Sequence, residues 1–526
     1  MMAAETVAGY NWRGACARAH NCLCLDGDVT TDGLGARIRS GLAWKAGSQL
    51  MLQGSRMVVA LVLARMLAPH DWGLAAMVLV ISAFVVVFTD SALISALIQR
   101  RDLRDADCST VFWLSAAIGL VLMLGGFALA GPLARFYGEH EIRALFAALA
   151  VGFLVSSLRT THMALLIRAM EFRKIETRQM IATAIGAVAG IAVALADYGA
   201  WAIIVQQLAE TTAMTGLLWF ATPWRPSRTF SVESVRRLGA FAGNLFGENL
   251  LYQAGRNLSN LLLGRFLGPA SVAVFVLASN VILVPFTRIA APLQQVFFPA
   301  FSQLADERER MADIWVRATR LIALVAVPAL VGLAVVAADF VQVVLGSKWA
   351  DIVPVIQILI VVGLIQSVQT LSVEVLLAVG RANWLFRFTL VWFVATVGAF
   401  ALGVRWGVVG VAACVAAVTV LVEPFRTYLA SRALGISPWR VPRALLGVAQ
   451  AAALMAVVAL ALRTTLVEAG VPAGARLALV TVVGAAVYLA ACLWRASEVT
   501  NELWAALGRR RRAAAIERLE PPVLER

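Results

Sequence analysis

The segment Gln53-Gly-Ser-Arg-Met-Val-Val-Ala-Leu-Val-Leu-Ala-Arg-Met-Leu-Ala-Pro69 is an apolar run that carries arginines at Arg56 and Arg65 and stops at a proline. Two hundred residues later the chain reads Gln253-Ala-Gly-Arg-Asn-Leu-Ser-Asn-Leu-Leu-Leu-Gly-Arg-Phe-Leu-Gly-Pro269. Between 50–69 and 250–269, without a gap, Leu50, Gln53, Arg56, Leu61, Leu63, Arg65, Leu67 and Pro69 recur as Leu250, Gln253, Arg256, Leu261, Leu263, Arg265, Leu267 and Pro269. Leucines recur easily in apolar helices; a glutamine, two arginines and a proline in one register do not. The segment therefore marks a duplicated unit. An arginine held in the apolar run of both copies is where function is to be sought.

Composition sets the frame. The 526 residues are 61% hydrophobic and 14% charged, with a mean hydropathy of +0.81, whereas a soluble domain carries about 25% charged residues. This is the composition of an all-α integral membrane protein. A net charge of +14 invites a nucleic-acid partner, but the basic residues sort to one side of a membrane. Fourteen candidate spans of the required length of about 20 apolar residues run over 43–66, 72–98, 110–131, 142–167, 179–196, 198–221, 238–264, 270–299, 317–337, 352–379, 383–403, 407–430, 444–462 and 474–494. With the N-terminus inside, 33 Lys and Arg fall in cytoplasmic segments and eight on the opposite side. That excess predicts both termini in the cytoplasm. No nucleic-acid partner is expected. The Arg509-Arg-Arg-Arg512 tail suits anionic lipid or solvent equally.

With this topology the two copies of the motif enter the membrane in the same direction. Spans 1–6 and 7–12 then form two pseudo-symmetric six-helix lobes, with spans 13–14 appended. The expected division is a tail over 1–40, an N-lobe over 41–222, a C-lobe over 223–432, the last spans over 433–495 and a basic tail over 496–526. Residues 1–38 carry no apolar core before a small-residue cleavage site and read as a cytoplasmic extension. Cys16, Cys22 and Cys24 lack the paired spacing of a zinc site, so no metal or cofactor is expected. No phosphate loop, H-E-x-x-H, C-x-x-C, dinucleotide turn or G-x-S-x-G is present, which argues against an enzyme and against ATP hydrolysis.

Nine ionisable residues fall at depth: Arg56, Asp90, Arg159, Glu210, Glu248, Arg256, Arg288, Glu374 and, nearer a span end, Glu423. Each costs roughly 2.5–3.5 kcal/mol if left facing lipid, so they pair with one another or face a polar cavity. Asp90 and Arg159 share a depth and suit an ion pair. Arg56 lies on a stripe with Gln49 and Gln53, and Arg256 on one with Asn249, Gln253, Asn257 and Asn260. A cavity lined this way from both copies suits an anion rich in hydroxyls. Asp90, Glu210, Glu248 and Glu374 are candidates for a coupling ion; for Glu210 and for His162 a satisfied polar contact between helices competes with that role. Arg65 and Arg265, half a turn away, belong at the outer boundary. Pro285, Pro292 and Pro299 predict either static curvature or a hinge in span 8.

Ala64-Arg-Met-Leu-Ala-Pro-His-Asp-Trp-Gly73, Ser95-Ala-Leu-Ile-Gln-Arg-Arg-Asp102, Arg135-Phe-Tyr-Gly138, Leu165-Leu-Ile-Arg-Ala-Met-Glu-Phe172, Gly199-Ala-Trp-Ala202, Trp224-Arg-Pro226, Gly264-Arg-Phe-Leu-Gly268, Phe298-Pro-Ala-Phe-Ser302 and Leu345-Gly-Ser-Lys-Trp349 follow in order. Through them the chain, over about 40–430, resembles the polysaccharide transporter family of the multidrug/oligosaccharidyl-lipid/polysaccharide exporter superfamily. The resemblance implies a V-shaped pair of six-helix lobes that flips an undecaprenyl-pyrophosphate-linked oligosaccharide across the bacterial inner membrane by alternating access. The product is destined for exopolysaccharide, capsule or lipopolysaccharide, with a polymerase and glycosyltransferases as partners. The resemblance also implies a cationic cavity for the headgroup, which Arg56 and Arg256 fit by position, with Arg159 and Arg288 as secondary candidates. A drug/cation antiporter of the same superfamily and a non-transporting scaffold for polysaccharide assembly are the alternatives. The first would want acidic residues dominating the cavity; the second gives no reason for an arginine in both copies.

Overall fold

The computed structural model describes residues 51–89, 97, 104–231, 257, 260–282, 297, 300–304 and 306–495. Asp90, Glu248, Gln253, Arg256 and Arg288, the three prolines of span 8 and both tails lie outside the described residues. The chain divides into two compact units, Met1–Ala270 and Ser271–Arg526. This division measures packing, whereas the 222/223 boundary read from the repeat concerns sequence duplication.

In the first unit the helices are α1 (51–66), α2 (Pro69–Thr89), α3 (Asp105–Tyr137), α4 (Glu141–Ser157), α5 (Thr160–Arg168), α6 (Phe172–Leu195) and α7 (Trp201–Ala221). Pro69 opens α2, where its missing N–H would have had no partner in any case. Gly138 (φ 78) closes α3 by donating its N–H to Ala134 O, the usual left-handed helix stop. α6 and α7 approach closely because Gly186 and Gly190 present no side chain: a Cβ on either would run into Gln206, and at Gly186 also into Glu210. Small residues at a helix contact are how apolar helices pack in lipid.

The expected single span over 142–167 is instead broken into α4 and α5, bent by 42°. Ser156 and Ser157 donate back to the carbonyls of Phe153 (3.0 Å) and Leu154 (2.7 Å), which competes with the helical ladder. Carbonyls near the break need other donors. Thr215 Oγ1 reaches Val155 O at 3.1 Å and Trp219 Nε1 reaches Leu158 O at 3.0 Å, both from α7.

The segment after α7 is strapped down. Trp224 Nε1 donates to Asp105 Oδ1 (3.1 Å) and Trp113 Nε1 to Ser227 O (2.8 Å). Ser109 and Ser227 share a hydroxyl bond of 2.8 Å, and Ser231 N donates to Thr110 Oγ1 at 3.0 Å.

The helical run α8 (Asn260–Ile282) contains the unit boundary, two residues beyond Gly268. Gly268 is left-handed (φ 78) immediately before Pro269, inside this run; the expected spans over 238–264 and 270–299 thus meet in one helical run over the described residues here. Gly73 lies against the backbone of Pro269, where a Cβ would collide, so the first turn of α2, which follows one copy of the motif, packs on the end of the other.

The second unit continues with α9 (Arg308–Phe340), a π-turn (Val341–Leu345), a 3₁₀ turn (Ser347–Trp349), α10 (Ile352–Gln369), α11 (Ser372–Ala378), α12 (Ala382–Gly403), α13 (Gly407–Leu434), α14 (Arg440–Glu468) and α15 (Ala473–Arg495). The span expected over 352–379 is also broken, between α10 and α11. Positive-φ positions punctuate both units alike: Gly138, Met170, then Asp197 and Gly199 in the first, Gly346, Gly380 and Gly407 in the second.

α9 and α14 run in the same direction, because Asp313 pairs with Arg440 near their starts and Asp339 with Arg463 near their ends. That parity requires the broken pair α10 and α11 to count as one crossing. Among the described residues, eight helices are long and apolar enough to cross a membrane, nine if the bent α4–α5 pair is one. The core of the second unit holds Phe301, Trp315 and Leu371, all fully buried.

Candidate functional site

Arg56 sits on α1 one turn after Leu52, whose carbonyl accepts the Ser55 hydroxyl at 2.8 Å. Its side chain is 42% exposed, and its Nη2 lies 2.5 Å from Oε1 of Glu210 on α7, a side chain only 11% exposed. The same Oε1 accepts Gln179 Nε2 at 2.8 Å and Thr183 Oγ1 at 2.9 Å, both from α6. A carboxylate in an apolar helix is tolerated when it is paired and its lone pairs are hydrogen-bonded. Gly186, one turn beyond Thr183, leaves the room that Glu210 occupies.

Arg56 and Glu210 were both singled out by sequence, one for an anion and one for a coupling ion; the structure makes them partners. Gln179 and Thr183 were missed. A signal existed, since Gln179, Thr183, Gly186 and Gly190 form one polar and small stripe at helical spacing on α6.

The other candidates distribute as follows. Gln53 is half-buried one turn before Arg56 on α1. Arg159 caps α5 at the first break and is half-buried. Asn257 and Asn260 are half-buried at the start of α8. Glu374 occupies the first turn of α11 at the second break, also half-buried. Because Arg256 and Asp90 lie outside the described residues, the structure describes neither a facing arginine pair nor an Asp90–Arg159 pair. His162 is fully buried. Its Nδ1 lies 2.5 Å from Thr222 Oγ1, and its ring sits 4.9 Å from that of Trp219 and 5.4 Å from that of Trp224. This is a packed interhelical contact. Arg265 is exposed with its guanidinium 5.8 Å from the Phe136 ring.

A second polar knot forms at the second break. Gln369 donates to Glu423 O at 2.9 Å and accepts from Thr427 (2.8 Å) and Ser372 (3.2 Å). Glu423 Oε2 lies 2.7 Å from Arg426 Nη2, and both side chains are largely buried. Beside this knot a cavity of about 590 Å³ is lined by Leu364, Val368, Tyr428, Trp439 and Leu445, with Gln369 and Thr427 as polar exceptions. Such a lining accepts hydrocarbon rather than sugar. Among the described residues no cluster of three or more His, Cys, Asp or Glu is placed to hold a metal ion.

Fold and site together define a polytopic, all-helical membrane protein with a half-exposed arginine paired in its first described helix. The chain belongs to the polysaccharide biosynthesis protein family, whose model matches residues 62–354. It is 30% identical over 357 residues to the lipopolysaccharide biosynthesis protein WzxC of Escherichia coli (strain K12), covering 67% of this chain and 72% of that one. To the succinoglycan biosynthesis transport protein ExoT of Rhizobium meliloti (strain 1021) it is 27% identical, covering 70% and 74%. Among solved structures it shares the fold of the lipid II flippase MurJ in an inward closed conformation (TM-score 0.66, 12% identity, 88% of this chain and 98% of that one). An inward-facing multidrug resistance MATE family transporter of the MOP superfamily also matches (TM-score 0.54, 16% identity, 74% and 99%).

Proposed function

We propose that this protein is a transporter rather than an enzyme: a flippase that carries an undecaprenyl-pyrophosphate-linked oligosaccharide repeat unit across the bacterial inner membrane by alternating access. The two six-helix lobes of the repeat, 41–222 and 223–432, alternate their opening, with spans 13–14 appended and both termini cytoplasmic. The product feeds exopolysaccharide, capsule or lipopolysaccharide assembly, in partnership with a polymerase and glycosyltransferases. The names of the relatives, a lipopolysaccharide biosynthesis protein and a succinoglycan transport protein, support the pathway class, and the shared fold is compatible with it.

The observation that carries the reading is Arg56. It is an arginine in an apolar helix, 42% exposed, whose Nη2 gives one bond to Glu210 among the described residues. Arginine binds phosphate oxygens bidentately, and the pyrophosphate and sugars are the parts that cannot dissolve in about 30 Å of hydrocarbon. The polyprenyl tail stays in the bilayer. Gln53, Gln253, Asn257 and Asn260 are assigned to sugar hydroxyls, with Arg256, Arg159 and Arg288 as further headgroup contacts.

The test is Arg56→Ala in a strain that depends on this chain for its polymer. Export is expected to stop at unchanged protein level while lipid-linked repeat units accumulate on the cytoplasmic face. Normal export in that strain removes Arg56 from the site.

A further inference from the structure

An arginine that binds a pyrophosphate must also let it go. Arg56 has five N–H donors, and among the described residues its one partner is Glu210. Glu210 is a built-in anion, 2.5 Å from the guanidinium and largely buried on α7. It is held in place independently of Arg56, because Gln179 and Thr183 bind the same oxygen from the neighbouring helix. A carboxylate fixed beside the arginine does two things. It keeps the cation paired in the unloaded protein, where a lone charge is costly. It also competes with any incoming anion, since the pair is formally neutral and the two anions repel.

Resting on the flippase reading above, we infer that Glu210, clamped by Gln179 and Thr183, is a positioning residue that holds Arg56 as an internal counter-ion and limits its grip on the pyrophosphate headgroup so that the load can be released. Affinity changes at a binding site appear mostly in the dissociation rate. A grip made tighter in every state lowers the half-saturation concentration without raising turnover. Glu210 therefore sets release. Gln179 and Thr183 tune it by sharing the same oxygen: each bond they give to Oε1 draws charge away from Arg56 and weakens its competitor. A purely structural ion pair makes the opposite forecast for a neutral isostere, namely lower stability with binding and turnover falling together.

The experiment uses the full chain in lipid nanodiscs and in proteoliposomes. Its probe is a short-prenyl pyrophosphoryl sugar, a diester whose charge is constant across the working pH. Glu210→Gln keeps the shape and the acceptor for the α6 donors but removes the charge. It is expected to bind the probe about tenfold more tightly, the change that 1.4 kcal/mol produces. Dissociation and saturated flipping should slow by a similar factor. Gln179→Leu, which strengthens the hold of Glu210 on Arg56, is expected to bind the probe more weakly. Equal or weaker binding by a folded Glu210→Gln overturns the inference, as does tighter binding with unchanged turnover. Should Glu210→Gln not fold, unchanged or tighter binding by Gln179→Leu overturns it. No probe binding by the wild-type protein is a different result, and it is the flippase reading of Arg56 that then fails.

Discussion

Asp339, at the end of α9, accepts Arg463 Nε of α14 on Oδ2 at 2.6 Å, with its side chain only 2% exposed. Its other oxygen, Oδ1, accepts Arg476 of α15 at 2.6 Å. One buried carboxylate thus ties α14 and α15 to the end of α9 within the second unit, just before the π-turn Val341–Leu345. Tyr488 supports the same attachment by donating to Leu324 O at 2.8 Å.

Removing that carboxylate leaves two arginines facing each other without a counter-charge. Asp339→Asn is expected to cost about 3–5 kcal/mol, the usual penalty for breaking a buried pair from one side. Arg463→Gln is expected to cost clearly less, because Arg463 is partly exposed and Asp339 keeps Arg476. Thermal unfolding of the purified variants in one detergent decides the order. Equal stability for the two shows that Asp339 is not the anchor.

The second break predicts its own sensitivity. Gln369→Leu strips partners from Thr427, Ser372 and the Glu423 carbonyl at once, all in a buried setting. Each unsatisfied group costs roughly 1–3 kcal/mol, so the variant should be among the least stable single substitutions in α10. Gln357, in the same helix, is exposed with one 3.4 Å bond to Ala334 O, and Gln357→Leu is expected to stay within about 0.5 kcal/mol of wild type. Melting curves that rank the two the other way would remove the knot's structural role.

Trp224 pins the segment after α7. It is 6% exposed, donates to Asp105 and packs 6.2 Å from Phe112 and 5.4 Å from His162. Trp224→Phe loses the bond and should cost about 1 kcal/mol; Trp224→Ala loses the packing too and should cost about 3–5 kcal/mol. Hydrogen exchange reads the consequence locally: the Ser231 amide, bonded to Thr110, should lose protection in Trp224→Ala and keep most of it in Trp224→Phe. Undiminished protection in both would mean that the serine and threonine contacts hold the strap alone.

By itself the sequence determined the membrane class, the run of apolar helices and the stop at Pro69, because each rests on local physics. Hydrocarbon demands long apolar runs, and proline acts on its own backbone. It also singled out Arg56 and Glu210, each as a separate candidate. Two things were decided by tertiary structure. The breaks at Ser157–Arg159 and Gln369–Ser372 lie inside hydropathy runs that read as continuous spans. They become tolerable where donors from another helix meet backbone carbonyls, as Thr215 and Trp219 meet those of Val155 and Leu158 in the first unit, and where Gln369 bonds to Thr427 and the Glu423 carbonyl in the second. The partner of Arg56 is the other. Glu210 lies 154 residues away, and only the rotation and depth of α7 against α1 and α6, set by Gly186 and Gly190, bring its carboxylate to the guanidinium. Helical periodicity places a charge on a face; it takes a packed neighbour to choose the counter-charge.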